Sequence, residues 1–354
     1  MKEIELEIGF TTPAFLGNAS QNSQWRTPPF KALLRQWWRV VKAKDAGYDH
    51  KKLLIAENEL FGTAADGGKS TSSALRLKLS NWAIGKLTDV AQGERVKHPE
   101  VKDNKGQLVP IGSNLYLGYG PVTTKGLKDG NRAIAPADET AKLWLGFPDQ
   151  FYQEIKETIQ LIAWFGTLGS RSRNGWGSLS VKSPKGVELK PLTAEALSPY
   201  CRDLPSSLAL DWAHAVGKDA NGPLVWKTGA KATWQEIMKE LAETKIAFRT
   251  NFKFSGGGSH SETQKRHIIS YPVTKHGLNG LGNSARLANQ IRFKIEKTAT
   301  DEYQAVIFHI PCAAPDNDFL EKLSPQNQKS FKNHEKTVWP EIHTIIGKKA
   351  ARLK

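Results

Sequence analysis

Gly166-Thr-Leu-Gly169-Ser-Arg171-Ser-Arg173-Asn-Gly175-Trp176-Gly177 is the stretch whose setting decides how the chain folds. Before it runs Phe151 to Phe165, where Phe151, Ile155, Ile159 and Ile162 share one helical face. After it comes Ser178-Leu-Ser-Val-Lys182, a short strand pattern. Glycine loops that bind dinucleotides run the other way, from strand into helix, so that reading falls. The four glycines permit close backbone approaches. Arg171 and Arg173 offer bidentate phosphate contacts. Exposed backbone N–H groups in such a loop form an anion cradle. Trp176 offers a face for a base or a packing anchor. A flexible turn with two surface arginines is the competing reading.

Upstream, Glu3 to Gly9 alternates, with Ile4, Leu6 and Ile8 on one face of a strand. Pro28-Pro29 opens a helix to about Lys44. Phe30, Leu33, Leu34, Trp37, Trp38 and Val41 form its core side. Lys31, Arg35, Arg39 and Lys42 form the other side, with no acid among them until Asp45. Ion pairs within this helix therefore do not explain the stripe. A phosphate-binding face and an ordinary solvated face both remain open. A second helix is expected over His50 to Phe61. Strands are expected over Ser73–Ser80, Leu115–Tyr119 and Lys142–Phe147. The polar stretch Gly93 to Leu108 reads as an exposed, mobile loop. The order strand, helix, helix, strands, helix, glycine loop, strand fits a βαββαβ, ferredoxin-like unit with insertions.

Downstream, a Pro-, Ser- and Lys-rich stretch from Lys182 to Pro205 marks a boundary, giving units over 1–190 and 205–354. Helices are expected near Ser206–Val216 and Thr233–Phe252. Ser255-Gly-Gly-Gly-Ser259 reads as a linker. His267–Val273, Gln290–Ile295 and Tyr303–Ile310 read as strands, the last two as neighbours. Asp316–Ile346 reads as helix interrupted at Pro325 and Pro340. The run from Lys275-His276-Gly277 to Gly282-Asn-Ser-Ala-Arg286 is again glycine-rich and basic. Lys275, His276 and Arg286 are its candidate contacts, with a plain surface loop as the alternative. Two such loops favour one shared RNA surface.

Composition narrows the chemistry. Fifty Lys and Arg against 35 Asp and Glu give a net charge of +15, spread over both halves. Such a chain usually meets an anionic polymer, nucleic acid before membrane. Cys201 and Cys312 are the only cysteines, which excludes a disulfide framework and a cysteine zinc finger. The alternating start is a strand pattern and not a signal peptide, and no apolar run reaches transmembrane length, so a cytoplasmic setting is expected. Gly62-Thr-Ala-Ala-Asp-Gly-Gly68-Lys69-Ser70 imitates a P-loop, but its first glycine is misplaced by one residue and it follows a helix. The nine histidines form no metal-ligand spacing, and no cofactor is implied. His50 or His276 could serve a metal-independent ribonuclease as general acid–base. A phosphate-contacting or surface role competes for each.

These residues resemble a known family. Thr12-Pro13-Ala-Phe15-Leu-Gly17, with Arg26-x-Pro28-Pro29-Phe30-Lys31-Ala-Leu33-Leu-Arg35-x-Trp37-Trp38-Arg39, is similar to the N-terminal signature of a RAMP family, that of the first subunit of the type III-B CRISPR (Cmr) effector. Gly169 to Leu179 resembles the same family's glycine-rich loop, and Arg286 to Lys294 resembles its C-terminal motif more loosely. Asn289-Gln290 depart from the small residues and proline expected there. The resemblance implies two ferredoxin-like (RRM-like) RAMP domains and an α+β fold. It implies a non-catalytic subunit holding the 3′ region of CRISPR RNA, helping capture target RNA and contacting backbone subunits. Its RNA contacts would be Arg35, Arg39, Arg171 and Arg173. Lys31 and Trp176 join them from the physical reading, as does Gly169 from the loop. The alternatives are a RAMP endoribonuclease that processes repeat RNA, and a basic surface serving only protein assembly.

Overall fold

The computed structural model describes residues 1–64, 70–282 and 284–354. The centre of the P-loop-like stretch, 65–69, and Asn283 lie outside the described residues.

The first sheet consists of β1 (Lys2–Phe10), β2 (Arg76–Leu79), β3 (Ala141–Phe147) and β4 (Leu179–Lys185). Its order is β2-β3-β1-β4, antiparallel throughout. Alternation in β1 does the work. Ile4, Leu6, Ile8 and Phe10 are buried, while Glu5 and Glu7 face outward to Lys142 and Lys182. Helices α1 (Thr27–Lys42) and α3 (Tyr152–Phe165) cover the buried face, with α2 (His50–Phe61) beside α1.

The second sheet consists of β5 (Val225–Lys227), β6 (Ile291–Lys297), β7 (Tyr303–His309) and β8 (Ala351–Arg352). Its order, β6-β7-β5-β8, is again antiparallel, and again places the strands second, third, first, fourth. Helix α4 (Trp234–Thr250) follows its first strand, and α5 (Pro325–Gly347) precedes its last.

The two sheets share one set of helices. Val306 and Phe308 point from β7 toward α1 and α3, where Phe308 meets Phe165 at 4.7 Å and Trp37 at 6.2 Å between ring centroids. Ala305 and Ile307 point the other way, into the core beneath α4 and α5. The layers therefore run sheet, helices, sheet, helices. Each fully buried aromatic or aliphatic side chain contributes about 1.5–3 kcal/mol. The middle helix layer is the part of the structure that both sheets need. Lys294 reinforces it, reaching from β6 to the carbonyls of Ile162 and Ala163 at the C-terminal end of α3. Burial pushes its amine down to about 8.

Several expectations change. Leu115–Tyr119 is not a strand: Ser113–Gly118 forms a short helix packed on α4, which buries Leu115 and Leu117. His267–Val273 begins as the helix Lys265–Ile269, because its histidine and isoleucines turn into one core. The helix near Ser206–Val216 is only Leu204–Ser207, and Val216–Asp219 pairs with Cys201–Asp203 as a parallel strand. Gly93–Leu108 is anchored rather than loose. Val96 is buried, Glu94 pairs with Lys239, and both oxygens of Glu100 engage Arg266. Pro325 starts α5, and the helix continues through Pro340.

Candidate nucleic-acid interface

The glycine-rich loop is packed, not flexible. Gly177 has φ +59°, and a Cβ there would sit 1.9 Å from the Leu168 carbonyl oxygen. At Gly169 the loop passes so close to Phe15 that a Cβ would meet its carbonyl oxygen at 2.5 Å. Most of the loop's N–H groups are spent on the protein: Leu168 donates to Gly177 and Asn174 to Arg171 within the loop, while Ser170 donates to Phe15 and Gly177 to Pro13. The expected backbone anion cradle is therefore largely occupied by the protein itself. What the loop offers outward is side-chain charge, Arg171 and Arg173, both exposed.

Trp176 takes the packing-anchor role and drops out of the expected RNA contacts. It is 0% exposed, 5.1 Å from Phe15 and 6.0 Å from Trp234 between ring centroids. It cannot stack on a base, and it instead holds the loop to the core between the halves.

Arg171 and Arg173 open onto a cleft of about 790 Å³ between the two halves. Lys245 and Arg249 line it from α4, and Arg286 lines it from the second basic loop. Five basic side chains thus face one cleft whose lining, among the described residues, includes no Asp or Glu. The Lys245 amine donates to Asn174 Oδ1 at 2.7 Å. Burial, with Arg249 and Arg171 nearby, pushes that amine down to about 7. Tyr119, 70% exposed, with the half-buried Tyr116 and the buried Tyr271, adds aromatic surface. Single strands are commonly held by this pairing of cationic groove and exposed ring.

The other candidates fall in three places. Lys275 and His276 line a hollow that shares Tyr271, Pro272 and Thr274 with the cleft. His276 is engaged there: its ring stacks on Phe254 at 4.0 Å and shares a 3.0 Å hydrogen bond with His260. Lys31, Arg35 and Arg39 line a separate groove on α1 with Leu75 and Leu77. That stripe does have an acid, which comes from α2. Both oxygens of Glu57 engage Arg39, and Arg35 Nε lies 3.2 Å from Glu57. His50 lines a different depression, with Leu204 and Glu335. Among the described residues, no group of three or more His, Cys, Asp or Glu side chains could hold a metal ion. No described helix is long and apolar enough to cross a membrane.

Sequence reasoning missed Lys245, Arg249 and Tyr119. A signal existed for the first: Lys245 occupies the buried register of Met238, Leu241 and Phe248 on α4. A lysine on an apolar face needs a reason to be there.

The sequence profile of the RAMP superfamily matches residues 8–180, from the first strand through the glycine-rich loop. The chain carries a RAMP superfamily region over residues 8–180. It resembles the CRISPR system Cmr subunit Cmr1-1 of Pyrococcus furiosus, at 24% identity over 196 residues. That match covers 54% of the chain and about half, 51%, of the relative's length. Among solved structures, the apo form of Cmr1 from Pyrococcus furiosus is similar with TM-score 0.49 at 15% identity, covering 94% of this chain and 96% of that one. A chain of a type III-B Cmr-beta complex bound to cognate target RNA is similar with TM-score 0.47 at 11% identity, covering 95% and 100%.

Proposed function

We propose that this chain is a non-catalytic RNA-binding subunit of a type III-B CRISPR effector. In this reading it is built of two ferredoxin-like (RRM-like) RAMP domains, 1–190 and 205–354. Its central cleft holds the 3′ region of CRISPR RNA and assists target RNA capture, beside other subunits of the complex. The shared strand order of the two sheets supports the paired-domain reading. The observation that carries the functional reading is the cleft where Arg171, Arg173, Lys245, Arg249 and Arg286 converge from both halves, with no carboxylate among its described lining residues. Like charges so gathered repel one another, and an anionic strand relieves that repulsion.

The test is a salt titration of single-stranded RNA binding with Arg171→Ala/Arg249→Ala. Each lost phosphate contact should flatten the log–log salt slope by about 0.7. Affinity should fall by about 1.5–3 kcal/mol per lost charge-assisted contact. An unchanged slope and affinity would remove the cleft from the RNA path. Incubation with repeat RNA in EDTA separates the nuclease reading: clean cleavage lost on His276→Ala would replace the binding subunit with an enzyme.

A further inference from the structure

The cleft has a side chamber. Beyond Arg171 lies a second cavity of about 260 Å³. Adjacent residues divide the two: Tyr119 and Arg171 line the cleft, while Gly120 and Ser170 line the cavity. The partition is tight, since a Cβ on Gly120 would come within 3.3 Å of the Arg171 guanidinium. The exposed ring of Tyr119 stands at this edge.

The cavity's chemistry suits one planar, polar-edged group. Phe15 and Leu127 give it apolar surface, and Gln21, Asp129 and Asn131 give it hydrogen-bonding groups. It is smaller than the roughly 300–1,000 Å³ typical of pockets for drug-sized ligands. Among the described residues, the side-chain amides of Gln21 and Asn131 make no hydrogen bond to the protein, so both donors and acceptors are open. The backbone is also held in an unusual state here. Gln21, Asp129 and Arg171 have φ of 63°, 56° and 59°, in the left-handed region that non-glycine residues avoid. Such conformations persist only where the surroundings hold them, and they gather at ligand clamps.

We propose that this cavity receives a single unstacked nucleobase from the strand whose backbone lies along the cleft. Arg171 neutralises the phosphate at the turn, Tyr119 stacks on the neighbouring base, and the Gln21 and Asn131 amides bind the edge of the inserted one. Splayed bases held by stacking and edge hydrogen bonds are the usual currency of single-stranded RNA recognition. The inference rests on the cleft being the RNA path.

The experiment uses the full chain and fluorescein-labelled single-stranded RNA carrying one abasic nucleotide, moved along the strand. Anisotropy is measured for the natural chain, for Asn131→Ala and for Gln21→Gly, which keeps the left-handed turn. With the natural chain, one abasic position should weaken binding about tenfold, within the range of a base–aromatic stack. In either variant, fully base-bearing RNA should bind several-fold more weakly, and that abasic position should add little further loss. The salt slope of the variants should match that of the natural chain. A natural salt slope with no abasic-sensitive position, or a sensitive position equally costly in both variants, overturns the cavity alone. A flat salt slope in the natural chain overturns the cleft reading beneath it.

Discussion

At the level of single residues, Lys245 is the most informative group in the cleft. Its amine is pushed down to about 7 by burial, with Arg249 and Arg171 adding repulsion. An RNA phosphate beside it favours the ammonium, so binding should take up a proton. Affinity should therefore fall as pH rises above about 7, by up to about one log unit per pH unit while the bound amine stays charged. Lys245→Met should bind more weakly and lose that dependence. Anisotropy titrations between pH 6.5 and 8.5 measure it, and a flat profile in the natural chain would mean Lys245 touches no phosphate. Arg171, Arg173 and Arg286 were legible in the sequence because charge beside glycine marks an exposed loop. For Trp176 the sequence left base face and packing anchor open, because the backbone hydrogen bonds that close the loop over it show in no composition. Lys245 and Arg249 were hidden by α4, where acids and apolar residues around them read as an ordinary amphipathic helix.

At the level of elements, α1 shows how a correct helix can carry a misjudged face. Its register and buried side were readable from Phe30, Leu33, Leu34, Trp37 and Trp38. The partner of its arginines was not, since Glu57 arrives from α2, 18 residues beyond Arg39. The pairing separates two effects that alanine substitutions usually mix. Among the described residues Lys31 has no ion pair, so Lys31→Ala tests the groove's charge with little change in stability. If RNA crosses this groove, that variant should flatten the salt slope by about 0.7 and leave the unfolding midpoint in place. Arg39→Ala strips the Glu57 carboxylate, whose side chain is 4% exposed, of its bidentate partner. It should cost about 1–3 kcal/mol, between exposed-pair and buried-pair losses because Arg39 itself is partly exposed. A salt slope unchanged in Lys31→Ala would leave the stripe a structural device only. The small elements of this half escaped the sequence for a related reason. Ser113–Gly118 is helical because α4 offers a surface to bury Leu115 and Leu117, and that surface lies more than a hundred residues away.

Across the whole molecule, the second sheet was the least legible part. β6 and β7 were visible as neighbouring strands. The three residues of β5 and two of β8 are too short to show a period, and they gain their pairing from β7 and from each other. The sheet is completed by the first half, whose Trp37 and Phe165 cover Phe308. The layers should consequently unfold together, and acid gives a way to see it. In the second half, burial holds His267 down to about 4, His343 to about 3 and His309 well below its ordinary range. Unfolded, each takes a proton near 6.5, so their contribution is complete above that pH and is lost as pH falls through 6.5 toward 4. Glu335 opposes them, since burial raises its carboxyl to about 7 and it gives up its proton on unfolding in the same window. Three histidines against one carboxyl leave a net uptake of two protons. Near pH 5 these four groups alone should therefore make stability fall by roughly 3 kcal/mol per pH unit. The loss should reach the first half although none of these groups belongs to it. Urea titrations at pH 7.5 and 5.5, followed by near-ultraviolet signals of the buried Trp25 and Trp38 and by far-ultraviolet circular dichroism, should give coincident midpoints that move together. A tryptophan transition that stays put while the backbone signal splits would show that each half keeps a core of its own.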